Sequence, residues 1–125
     1  MYIRRSIIAL VALASFGVVM ISTTACGSSS TPTSPTTTAD VTVSIAGNLG
    51  AQSFVPNPVA MRVGQTISWK NADSITHDAT QDGSGFTTGN VSAGATSSPI
   101  MMSTAGTFTY HCAIHPGMVG TITVQ

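Results

Sequence analysis

Glutamate is absent from this 125-residue chain, and lysine occurs once, at Lys70. Charged residues make up only 6% of the sequence. With so few strong helix formers and so much Ser, Thr and Gly, the composition favours strands and turns over helices. There is no basic stripe, which excludes nucleic acid as a partner. Cysteine is scarce too: Cys26 and Cys112 are the only two. A disulfide framework is therefore excluded. One apolar run stands out, Ser6 to Ile21, broken only by Ser15 and Gly17. It is short for a membrane span.

That run follows the basic pair Arg4-Arg5 and ends at Ser22-Thr23-Thr24-Ala25-Cys26. A basic start, an apolar middle and a small residue before cysteine read as an export signal over residues 1–25. The pattern resembles bacterial lipoprotein signals, with Thr23 where leucine is usual. The resemblance implies lipidation of Cys26 and a membrane anchor there. Residues 26–40 are rich in Ser, Thr and Pro and read as a solvated tether. At about 3 Å per residue it spans roughly 40 Å. Export implies a periplasmic or cell-surface location. Beyond the signal, Arg62 and Lys70 face Asp40, Asp73, Asp78 and Asp82, a formal balance of −2. Cys112 then stands as a lone thiol in an exported domain, prone to oxidation unless something occupies it.

Residues 41–125 hold one small domain. Apolar and polar residues alternate with the period of a strand in Val41–Ile45, Gln65–Lys70, Thr107–Cys112 and Gly120–Val124. Val59–Val63 and Ser98–Ser103 are shorter candidates. Turn signals separate them, among them Pro56-Asn57-Pro58, Asp82-Gly83-Ser84-Gly85 and Ala105-Gly106. No helical period is present. Short strands at this spacing predict an all-β Greek-key sandwich. Phe54, Trp69, Phe108 and Tyr110 are expected in its core.

The chemistry concentrates in Tyr110-His111-Cys112-Ala113-Ile114-His115-Pro116-Gly117-Met118. Cys112, His115 and Met118 are soft or borderline metal ligands on one loop, and His77 follows the Trp69 strand. Two strand ends at one pole of a sandwich would bring the four together. Two histidines, a thiolate and a weak thioether form the blue-copper arrangement. Zinc would call for a further Cys or His in place of Met118. His111, adjacent to Cys112 in a strand, points to the opposite face and is not expected to join the site.

The segments Phe54-Val55-Pro56-Asn57-Pro58-Val59, Val63 to Asn71, His77, the Cys112-x-x-His115-Pro116-x-Met118 loop and the closing strand together resemble the cupredoxins, the plastocyanin and amicyanin group of small blue-copper proteins. The loop spacing is similar to that of amicyanin. The resemblance implies a cupredoxin-like fold and one copper ion cycling between Cu(II) and Cu(I). It implies His77, Cys112 and His115 as equatorial ligands and Met118 as the axial one. Asn71, Asp78 and Pro116 are expected in the surrounding shell. Asp78 stands where the family often has Asn, and Ala113 where it often has Ser or Thr. A side-chain brace between the two ligand segments is therefore expected to be missing. The Asp78 N–H is expected to bond the thiolate, and Pro116 offers no N–H.

Electron transfer to redox proteins, through an apolar surface around His115, is the function implied. Extracytoplasmic copper handling is the alternative. Copper enzymes need more histidines than His77, His111 and His115 provide, so a non-enzyme is expected. A metal-free adhesive sandwich would leave the ligand spacing unexplained.

Overall fold

A computed structural model describes residues 38–125. The export signal, Cys26 and nearly all of the tether lie outside the described residues. Eight strands and one 3-10 turn make up the regular structure, with no α-helix among the described residues. The strands are β1 (Val41–Ile45), β2 (Phe54–Val55), β3 (Val59–Met61), β4 (Thr66–Asn71), β5 (Thr80–Gln81), β6 (Ile100–Met101), β7 (Gly106–His111) and β8 (Val119–Val124). The turn is Gly50–Gln52.

They form two four-stranded sheets, ordered β2-β1-β4-β6 and β3-β8-β7-β5. In the first sheet β1 runs parallel to β4, from Val41 opposite Ile67 to Ile45 opposite Asn71. In the second, β3 runs parallel to β8 while β7 and β8 pair antiparallel along their whole length. Parallel neighbours far apart in sequence show that long connections, and not hairpins alone, order the strands.

The alternation seen in the sequence sets which face is buried. Val43, Ile45, Ile67, Trp69, Tyr110, Ile122 and Val124 all point between the sheets. Phe54 joins them, and Phe108 packs partly buried at the edge. Trp69 and Tyr110 meet edge to face with ring centroids 5.5 Å apart, and Phe54 lies 4.7 Å from Tyr110. Tyr110 faces Gly120 across the β7–β8 ladder. A Cβ at Gly120 would lie 2.3 Å from the Tyr110 ring, so the aromatic needs glycine beneath it. The Tyr110 hydroxyl and the Trp69 indole N–H are buried with no hydrogen-bond partner among the described residues. Burial pushes the Tyr110 phenol up to about 12.

The strand expectations hold with small shifts of their ends. Val59–Val63 shortens to Val59–Met61, and Ser98–Ser103 to Ile100–Met101. Strands β2 and β5 have only two residues each and carry no periodic signal.

Candidate metal centre

The site sits where β4 and β7 end at one pole. Past Asn71 the chain turns through Asp73 and Ser74 and reaches His77. Asn71 is fully buried and organises this turn. Its amide donates to the Ile75 carbonyl at 2.7 Å and the Val91 carbonyl at 2.9 Å, and its Oδ1 accepts from the Asp73 N–H at 2.9 Å. His77 is then pinned by its backbone, which exchanges both hydrogen bonds with Val91. Its side chain is fully buried, with Nε2 2.9 Å from Asp73 Oδ2.

Past His111 the chain enters a tight loop. The His115 N–H donates to the Cys112 carbonyl, the Met118 N–H to the His115 carbonyl, and the Cys112 N–H to the Met118 carbonyl. Three backbone bonds thus close Cys112 to Met118 into a compact turn. Cys112 and Met118 are both fully buried, and His115 is half-buried. Met118 belongs to the turn and to the core cluster alike.

The donor atoms converge. One ligand atom each from His77, Cys112 and His115 lies within 4.8 Å of the others. The Cys112 Sγ is 3.9 Å from His77 Nδ1 and 3.7 Å from His115 Nδ1, and the two Nδ1 atoms are 3.1 Å apart. The set fits copper: two imidazoles and a thiol around one point, a buried thioether on the same loop, and carboxylates turned to other partners. His111 lies outside it, as expected of its place in β7. Its Nδ1 pairs with Asp82 Oδ1 on the surface.

Around the donors, the Asp78 N–H points to the Cys112 sulfur at 3.4 Å, as the sequence led us to expect. The missing brace is corrected by the structure. Asp78 Oδ1 accepts from the Ala113 N–H at 2.7 Å, tying the His77 segment to the Cys112 loop. The donor is backbone, so Ala113 can serve where a Ser or Thr was expected. The other carboxylate oxygen accepts from the Thr80 hydroxyl at 2.7 Å. Burial alone would raise the Asp78 carboxyl. Bonds from Cys112, Thr80 and the Ala113 and Ile114 N–H groups outweigh it and hold Asp78 below the ordinary carboxylate range. Burial pushes the Cys112 thiol up, against the pull of the Asp78 N–H. The hydrogen bond from His77 holds Asp73 down, with the Ser74 N–H adding to it. Asp73 was missed in the sequence.

Comparison with known proteins agrees with this geometry. Residues 41–125 match the family model described as copper binding proteins of the plastocyanin/azurin family. Over 98 residues the chain is 34% identical to a plastocyanin from Scenedesmus fuscus, covering 69% of this chain and all of that one. A purple cupredoxin from Nitrosopumilus maritimus has 26% identity and a TM-score of 0.61, covering 69% of this chain and all of that one. The Cu(I) form of an amicyanin variant shares the fold at 22% identity and a TM-score of 0.59, over 68% of this chain and 81% of that one. A two-sheet sandwich with its convergent His77, Cys112 and His115, and a family match spanning residues 41–125, place this chain in the plastocyanin/azurin family of copper-binding proteins.

Proposed function

We propose that this protein is a one-electron carrier whose copper ion is held by His77 Nδ1, Cys112 Sγ, His115 Nδ1 and the Met118 thioether. The convergence of two ring nitrogens and a thiol at one pole carries the reading. Bound there, copper supplies a Cu(II)/Cu(I) couple.

The chain's own part is to hold the donors still. His77 is fixed by Val91 and Asp73, Cys112 by the Asp78 N–H, and the loop by its three backbone bonds. A site that is already assembled gives its ligands little room to move when charge changes. His115 is the donor that reaches toward solvent. Exposed apolar residues lie on neighbouring segments: Ile114 on the loop itself, Ile75 on the His77 turn, and Leu49 beside Gly50, which lies against Gly117. We assign this face to redox protein partners. No second metal centre is needed for such a role, so the reading is of a carrier rather than an enzyme. The sequence of residues 1–40 supports export, lipidation at Cys26 and display at a membrane surface.

Titration of the purified protein with Cu(II), followed by visible absorption and EPR, tests the reading. The expected result is an intense thiolate-to-copper band with narrow copper hyperfine splitting, abolished in Cys112→Ser. A pale, ordinary Cu(II) spectrum would overturn the proposed ligand set. A coloured site that readily gives up Cu(I) to a chelator would favour copper handling over electron transfer.

A further inference from the structure

We propose that Asp73 is a positioning residue: its carboxylate fixes the tautomer and orientation of His77 and biases the copper centre toward Cu(II). The inference rests on the copper reading above. His77 presents Nε2 to Asp73 Oδ2 at 2.9 Å and Nδ1 to His115 and Cys112. A carboxylate accepts and does not donate, so the ring proton resides on Nε2. Nδ1 keeps its lone pair and faces the other donors. His115 Nδ1 lies 3.1 Å from it across the contact between the rings.

Asp73 is itself held. Its Oδ1 accepts from the Ser74 N–H at 2.7 Å, and its own N–H donates to the buried Asn71. Gly47, with φ +126°, lies against it; a Cβ there would come to 3.4 Å from Oδ2. The Asp73 side chain is 26% exposed while that of His77 is fully buried. An ionised group at the surface thus acts on a buried ring. No hydrogen bond links the His115 ring to a carboxylate among the described residues, so the effect belongs to His77 alone. A carboxylate behind a ligating imidazole makes it a more basic donor. It also adds negative charge near the ion, which favours the more positive of the two oxidation states.

Two variants separate orientation from charge. Asp73→Asn keeps an acceptor and removes the charge; Asp73→Ala removes both. Asp40→Asn removes the same charge from a residue that bonds Thr66 and not His77. In the copper-free protein, long-range nitrogen-proton NMR is expected to show His77 as the Nε2–H tautomer in the wild type and in Asp73→Asn, and mixed in Asp73→Ala. With copper, Cu(II) affinity falls roughly 10–100-fold in Asp73→Ala, and Cu(I) affinity falls less. Each tenfold change in that ratio raises the reduction potential by about 59 mV. Asp73→Asn also raises it, and Asp40→Asn leaves it unmoved. An unchanged tautomer in Asp73→Ala, an unmoved potential in Asp73→Asn, or an equal rise in Asp40→Asn would each overturn the proposal. Should Asp73→Ala fail to fold, the potential of Asp73→Asn decides. If the wild type forms no copper–thiolate band, the copper reading fails, while the tautomer measurement still judges the role of Asp73.

Discussion

The two histidines of the centre are held in opposite ways. His77 is buried and, beyond its backbone pair with Val91, restrained by side chains: Asp73 behind its ring, Asn71 beneath the turn, Asp78 bridging to the loop. His115 is half-buried and restrained by backbone bonds within one short turn. A side-chain network can set charge and tautomer as well as position. A backbone turn sets position alone and leaves the ring edge open. On the proposed reading, one histidine tunes the site and the other faces outward.

The largest effect that would break this contrast comes from removing each ring. In His115→Gly the vacated place opens to solvent, so added imidazole is expected to restore the copper–thiolate band. In His77→Gly the gap is enclosed, and imidazole is expected to restore little or nothing. Equal rescue, read by visible absorption, would show that the two sides are equally accessible.

Next in size is the difference in stability. Asn71→Ala removes three hydrogen bonds: the Val91 carbonyl keeps only the His77 N–H, and the Ile75 carbonyl and the Asp73 N–H lose the Asn71 side chain. It is expected to cost roughly 2–4 kcal/mol in urea unfolding. Ile114→Ser, on the exposed side of the loop, should stay within about 0.5 kcal/mol.

Acid sharpens the contrast further. Asp40, Asp73, Asp78 and Asp82 are all held below their ordinary value in the folded chain. A carboxyl lowered on folding stabilises above its unfolded value, near pH 4, and that contribution is lost as pH falls through the lowered value. Thermal stability of the copper-free protein is thus expected to be level from pH 7 to about 5 and to fall below about 4. Asp73→Asn should flatten that fall.

A further small effect lies outside both sides. The Tyr110 hydroxyl has no partner to lose. Tyr110→Phe should leave stability within about 1 kcal/mol of the wild type or raise it, as read by melting temperature.

Much of this was legible in the sequence. Strands with period two, such as Val119–Val124, reveal their buried faces without further information, whereas in Thr66–Asn71 the pattern places Ile67 and Trp69 inside but not Ser68, which is buried as well. The loop from Cys112 to Met118 carries its ligand spacing in plain order. Two of the two-residue strands were not legible, because Phe54–Val55 and Thr80–Gln81 exist only through the partners they pair with. The brace was misread for a different reason. Replacing Asn by Asp keeps one carbonyl-like oxygen in the same place, and the Ala113 N–H that binds it is present whatever the side chain. Asp73 escaped notice because its partner is set by the turn that Asn71 builds, and not by any repeat along the chain.

The parallel pairing of β1 with β4 has a consequence for how the molecule is carried. Val41 stands beside Ile67 at the start of β4, and Ile45 beside Asn71 at its end, from which the chain runs on to His77. Four strand steps at about 3.3 Å each separate those levels by roughly 13 Å. Whatever precedes Val41 therefore joins the domain at the end away from the metal centre. The face we assign to redox partners and the start of β1 thus lie at opposite ends of the domain, so a link made at one leaves the other open to approach.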